Sequence, residues 1–166
     1  MSSPEATRYL NQRFHQADLA QKRQIIAQDV LDAIRAEKFR PISGVWVDWN
    51  IDLDQPLAAQ VEKNPTCQVC ALGAAFLCAV RYHPGAYPRD FHVMRSGCGH
   101  DAIFKLLGDF FEDDQLQMIE AAYEQGRGFC GGETEAICFG LKYEDDQERM
   151  IAIMQNILAN HGTFVP

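Results

Sequence analysis

From Leu19 onward the apolar positions Leu19, Ile26, Val30, Ala33 and Ile34 recur at helical spacing, which predicts a helix over 19–38. Asp18 with Gln21 three residues on has the form of a capping box, and Pro41 ends the pattern. Ahead of it, residues 1–17 show periodicity only at Tyr9, Leu10 and Phe14, so a frayed start is expected. The period then becomes two. Val45, Val47, Trp49, Ile51 and Leu53 alternate with Trp46, Asp48, Asn50, Asp52 and Asp54, which predicts a half-buried strand with one acidic face, stopped at Pro56.

Residues 67–82 read as a helix that is apolar all round. On a helical wheel Cys67, Cys70, Ala71, Ala74 and Cys78 share one stripe of small residues, with Val69, Leu72, Phe76 and Val80 opposite. Such a helix is buried, a narrow stripe lets a neighbouring backbone come close, and Thr66 is the expected N-cap. The stretch 83–99 carries Pro84, Pro88 and three glycines and reads as a long connection with a short strand at Phe91 to Met94. Ile103, Phe104, Leu107, Phe110 and Phe111 predict a helix over 101–111. Another starts near Glu112 and ends at Gly126, with Asp113 and Asp114 suited to its positive end. Residues 126–133 read as a glycine-rich loop, and 134–143 fit either strand or irregular structure. A last helix over 145–159 closes on Asn160, His161 and Gly162.

These elements predict an α+β fold, predominantly helical, with about five helices around a central buried helix at 67–82 and a small antiparallel sheet or hairpin. The 166-residue length predicts one globular domain over 18–166.

Charge narrows the classes of function. Fifteen Lys and Arg stand against 23 Asp and Glu, a net charge of −8, so there is no basic excess to bind a nucleic-acid backbone or an anionic membrane. Residues 1–24 hold no apolar stretch of signal-peptide length, and the longest apolar run, Val69 to Val80, is short of the roughly 20 residues a membrane span needs. The six cysteines then read as reduced thiols of a soluble cytoplasmic protein.

Four kinds of chemistry have candidate residues. Cys67 and Cys70 with Cys98 and His100 offer the ligand types of a tetrahedral zinc site, although a one-residue gap in the second pair is tight. The bland reading of Cys67 and Cys70 is as small core residues, which leaves no cofactor as the main expectation and zinc as the minority one. Cys98, Cys130 and His100 are the candidates for cysteine-dependent catalysis, Cys98 by its place before a helix and Cys130 by its flanking glycines. Asp48, Asn50, Asp52 and Asp54 mimic the start of a calcium loop, but Leu53 stands where a glycine is needed and Ala59 where a bidentate glutamate is needed. No phosphate loop, dinucleotide fingerprint, metalloprotease helix or serine elbow is present. The fourth kind is recognition. Trp46, Asp48, Asn50, Asp52 and Asp54, joined by Glu112, Asp113 and Asp114, form a lysine-free and arginine-free set suited to a basic protein surface, against the bland reading of a solvated exterior.

Cys67-Gln-Val-Cys-Ala-Leu-Gly-Ala74 and the ending Ile151-Ala-Ile-Met-Gln-Asn-Ile-Leu-Ala-Asn-His-Gly-Thr-Phe-Val-Pro166 resemble a group of small uncharacterised proteins of bacteria and prophages, as does the style of the Asp113 to Glu120 helix start. The resemblance implies an accessory context and no catalytic residues. The sequence thus points to a non-enzymatic interaction or regulatory protein of the phage accessory or inhibitor kind, with a protein partner of basic surface. A zinc-binding Cys/His module or small cysteine-dependent enzyme is the alternative.

Overall fold

The computed structural model describes residues 4–63, 66–91, 99–127 and 134–166. Its first element is a helix, α1 (Pro4–Gln16), in place of the expected frayed segment, and Phe14 on it is 1% exposed. One buried aromatic ring gives this polar stretch an anchor that its weak periodicity does not advertise. Helix α2 (Leu19–Arg35) begins on the capping box: Asp18 accepts from the Gln21 N–H at 2.8 Å, and Gln21 Oε1 accepts from the Asp18 N–H at 3.1 Å. It stops three residues earlier than the periodicity suggests, because Glu37 turns left-handed (φ 55°) and its N–H bonds back to Ile34.

The sheet is small and mixed. Strands β1 (Phe39–Pro41) and β2 (Val47–Asp48) flank β3 (Cys67–Val69), parallel on the first side and antiparallel on the second. Pro41 is tolerated because β1 is an edge strand with one neighbour. The long strand expected over 45–54 keeps only two residues in the sheet, although its inside–outside alternation survives: Val47, Trp49 and Ile51 are buried, and Asp48, Asn50, Asp52 and Asp54 exposed. The chain leaves the sheet because Asp52 bends it, accepting from the Asp54 N–H at 3.0 Å. Gln60, buried on α3 (Leu57–Lys63), locks that bend by bonding the backbone of Asp52 and Gln55.

The apolar run 67–82 is not one helix. Its first three residues are β3, Cys70 is the cap in place of Thr66, and α4 (Ala71–Val80) follows with all ten residues buried. Cys70 takes the capping role with its sulfur, which accepts from the Gly73 N–H at 3.3 Å. Helices α2, α3, α5 (His100–Leu107) and α6 (Asp113–Glu124) surround α4, so the middle of the chain is the middle of the core. A 3₁₀ turn at Pro88–Phe91 stands at the expected beginning of a strand, and the rest of that expected strand lies outside the described residues. Helix α5 ends at Leu107, short of the expected 111, with Phe110 and Phe111 bonded back to Leu107 in a turn. The ambiguous stretch after 133 is α7 (Thr134–Gly140), and α8 (Asp146–Ala159) completes the chain on its Asp145 cap. The fold is predominantly helical α+β, with eight α-helices among the described residues against the expected five or so.

Candidate functional site

The acidic row is the first candidate. Asp48, Asn50, Asp52 and Asp54 all face solvent, and Trp46 at its head is half-buried, its ring edge-on to His100 at 5.7 Å. His100 in turn stacks on Phe104 at 4.1 Å, so the row runs into a three-ring aromatic patch. Among the described residues, Asp48, Asp52, Asp54, Glu112, Asp113 and Asp114 make no ion pair with lysine or arginine. Asp52 also shapes the backbone, since besides the Asp54 N–H it accepts from the Gln55 amide at 2.9 Å. Glu112, Asp113 and Asp114 are exposed at the start of α6. The turn that opens the row is fixed to the other end of that helix, since the Gly44 N–H donates to Glu124 at 2.9 Å. Twelve residues at about 1.5 Å rise separate Glu112 from Glu124, roughly 18 Å, so Glu112, Asp113 and Asp114 stand at the far end of α6 from the Gly44 turn.

The thiol candidates sit elsewhere. Cys67, Cys70 and Cys78 are buried. Burial pushes Cys67 up to about 11, helped by the Asp48 charge, and Cys70 up to about 12. Burial also raises Cys78. Burial thus favours the thiol over the thiolate at all three, which makes them poor nucleophiles. Among the described residues no three His, Cys, Asp or Glu side chains converge as a metal site would need. Cys98, shared by the zinc and catalytic readings, and Cys130 lie outside the described residues. His100 is engaged, its Nδ1 lying 3.3 Å from Asp101 and its ring between Trp46 and Phe104.

Two further features carry no simple signal in the sequence. The first is Arg149 on α8, 1% exposed. Its guanidinium donates to Asp146 at 2.8 Å and to the carbonyls of Tyr123, Tyr143 and Glu144 at 2.9–3.0 Å. Asp146 also accepts from the Ser43 amide and hydroxyl at 2.8 and 2.7 Å. One buried cation thereby joins α6, α7, α8 and the turn that opens the acidic row. Burial pulls Asp146 upward, but Ser43 and Arg149 outweigh it and hold the carboxyl below its ordinary range. Glu124 is raised by burial, against the Gly44 N–H bond. A run of glycine, arginine and carboxylates around an apolar helix start is the signal such a network leaves, and solvated surfaces leave the same one.

The second feature is a cleft of about 850 Å³ between α1 and α2. Gln12 and Gln16 line it from α1, and Gln21, Gln24 and Gln28 from α2. Two helices joined by a two-residue turn ordinarily seal along an apolar seam; here the facing positions carry carboxamides, which cost free energy when buried without partners. The seam therefore stays open, with Tyr82 and the half-buried Asp29 within it.

No helix among the described residues is long and apolar enough to cross a membrane. Comparison with protein-family models, curated proteins and solved structures finds no match.

Proposed function

We propose that this protein is a non-enzymatic interaction protein whose Trp46–Asp54 face meets a basic surface on a protein partner, in an accessory or inhibitory role. The observation that carries the reading is the set of exposed carboxylates on a fixed backbone that find no cationic partner among the described residues, next to a half-exposed tryptophan. Carboxylates in such a row repel one another and gain from an incoming cation, and the adjoining indole offers an anchor that water solvates poorly. Two buried side chains hold the row in place: Gln60 fixes its bend, and Glu124 fixes the turn before it.

Asp48 and Asp54 are the positions to reverse, because Asp52 closes the bend and its replacement would disturb the backbone. The D48K/D54K variant is expected to keep the wild-type unfolding midpoint and to lose capture of the basic partner from extracts of the source cell. Equal capture by both proteins would refute the reading.

A further inference from the structure

Among the described residues, three carboxamides each grip the backbone of a single residue in the same way. Gln60 accepts from the Asp52 N–H at 2.8 Å and donates to the Asp52 carbonyl at 2.7 Å. Gln115 does this with the N–H and carbonyl of Phe164, at 2.7 and 3.3 Å, and Asn156 with those of Val165, at 2.9 and 2.7 Å. A carboxamide carries a donor and an acceptor side by side, and an extended residue turns its N–H and C=O to the same edge, so the two fit.

The cleft between α1 and α2 holds carboxamides that are not spent like this. The Gln12 and Gln16 side chains make no hydrogen bond among the described residues. On the facing wall Gln24 has a long 3.4 Å bond to the Ala20 carbonyl, and Gln28 bonds Asp32 at an exposed position. Each pair is four residues apart on its helix, about 6 Å along the axis, close to the roughly 6.6 Å between alternate residues of an extended strand. Successive residues of a strand turn their peptide groups to opposite edges, so a strand lying along the cleft presents one set to α1 and the other to α2. Ile25 and Leu158 add half-buried apolar surface for its inward side chains. Charge makes no competing demand: Asp29 already holds the Tyr82 hydroxyl and lies 3.9 Å from Arg81, and Asp32 lies 3.0 Å from Arg35. At about 850 Å³ the cleft has the size of a ligand site.

We propose that the cleft binds an extended, uncharged segment of a partner polypeptide, with Gln12 and Gln16 gripping one backbone edge and Gln24 and Gln28 the other. The main chain then supplies most of the affinity, and side chains of the segment only tune it.

Titration of the isotope-labelled full chain with the capped peptide acetyl-Ser-Val-Thr-Val-Ser-amide, followed by NMR, tests this. The side-chain NH2 signals of Gln12, Gln16, Gln24 and Gln28 are expected to shift saturably. The same peptide N-methylated at its second and fourth residues is expected to bind at least about tenfold more weakly, because the lost N–H donors face one wall. In Q12A/Q28A, changed at two exposed positions, binding of the unmethylated peptide is expected to weaken by a similar factor at an unchanged unfolding midpoint. No saturable shift, equal binding of the N-methylated peptide, or undiminished binding by Q12A/Q28A would overturn the proposal, as would maltotriose shifting these signals where the peptide does not. Should Q12A/Q28A lose its fold, the two peptides on the wild-type chain decide alone.

Discussion

The Tyr82 hydroxyl donates to Asp29 Oδ2 at 2.6 Å, tying the end of α4 to the middle of α2 at the inner edge of the cleft. Arg81 stands 3.9 Å from the same oxygen. Burial holds Asp29 above its ordinary range, with the Tyr82 bond and the Arg81 charge acting against it. Y82F removes the stronger partner and leaves a half-buried carboxylate to the weaker one. It is expected to cost about 1–3 kcal/mol in urea unfolding at pH 7, the range for stranding a buried acceptor. The cost should shrink at acid pH, where Asp29 is protonated.

Arg149 is the buried cation on which α6, α7 and α8 converge. R149M leaves several buried carbonyls without their donor and Asp146 with Ser43 in place of its cation, and a loss of about 3–5 kcal/mol is expected in chemical denaturation. A carboxyl held low stabilises the fold above its ordinary value, 3.8 for Asp146, and that contribution disappears as pH falls through the lowered one. Glu124 has the opposite sign: it is held above 4.5, so its contribution is present below that pH and is lost as pH rises through the folded value. E124Q should therefore unfold at a higher temperature than wild type at pH 7, with the gap closing near pH 4, as thermal scans at the two pH values would show.

Gly73 and Gly140 are places where backbones touch. A Cβ on Gly73 would run into the Trp46 carbonyl, and one on Gly140 into the Ala122 carbonyl. The obstacle is backbone in both cases, so relief requires a whole element to move. G73A and G140A are each expected to cost about 3 kcal/mol, the upper part of the overpacking range, measured by equilibrium unfolding.

Among the described cysteines, thiol reactivity separates the three buried ones from the exposed Cys138. Brief alkylation of the native protein near pH 7.5, mapped by mass spectrometry, should label Cys138 and spare Cys67, Cys70 and Cys78. Rapid native labelling of Cys67 or Cys70 would reopen the reading of that region as reactive.

What the sequence makes legible is local. The Asp18 and Gln21 box, the burial alternation from Val47 to Asp54 and the apolar middle of the chain each follow from side chains a few residues apart. What it hides depends on partners far along the chain. Strand β1 is three residues that exist because β3 lies beside them, and Gly140 ends a short helix packed on Ala122. Cys70 caps α4 because β3 occupies the residues a longer helix would have used. The acidic row itself is visible as a pattern, while the engagement of Asp52 in its own bend, which removes it from the free carboxylates, requires Gln60 and the turn to be placed.

Capture of the partner across a salt series measures the acidic face most directly. Exposed carboxylates act over a Debye length of about 10 Å at 0.1 M salt and about 3 Å at 1 M, so association through them slows steeply as salt rises. Wild-type association with the basic partner is predicted to slow in this way, and D48K/D54K to associate slowly at every salt concentration. Rates that match between the two proteins, or that ignore salt, would contradict the account.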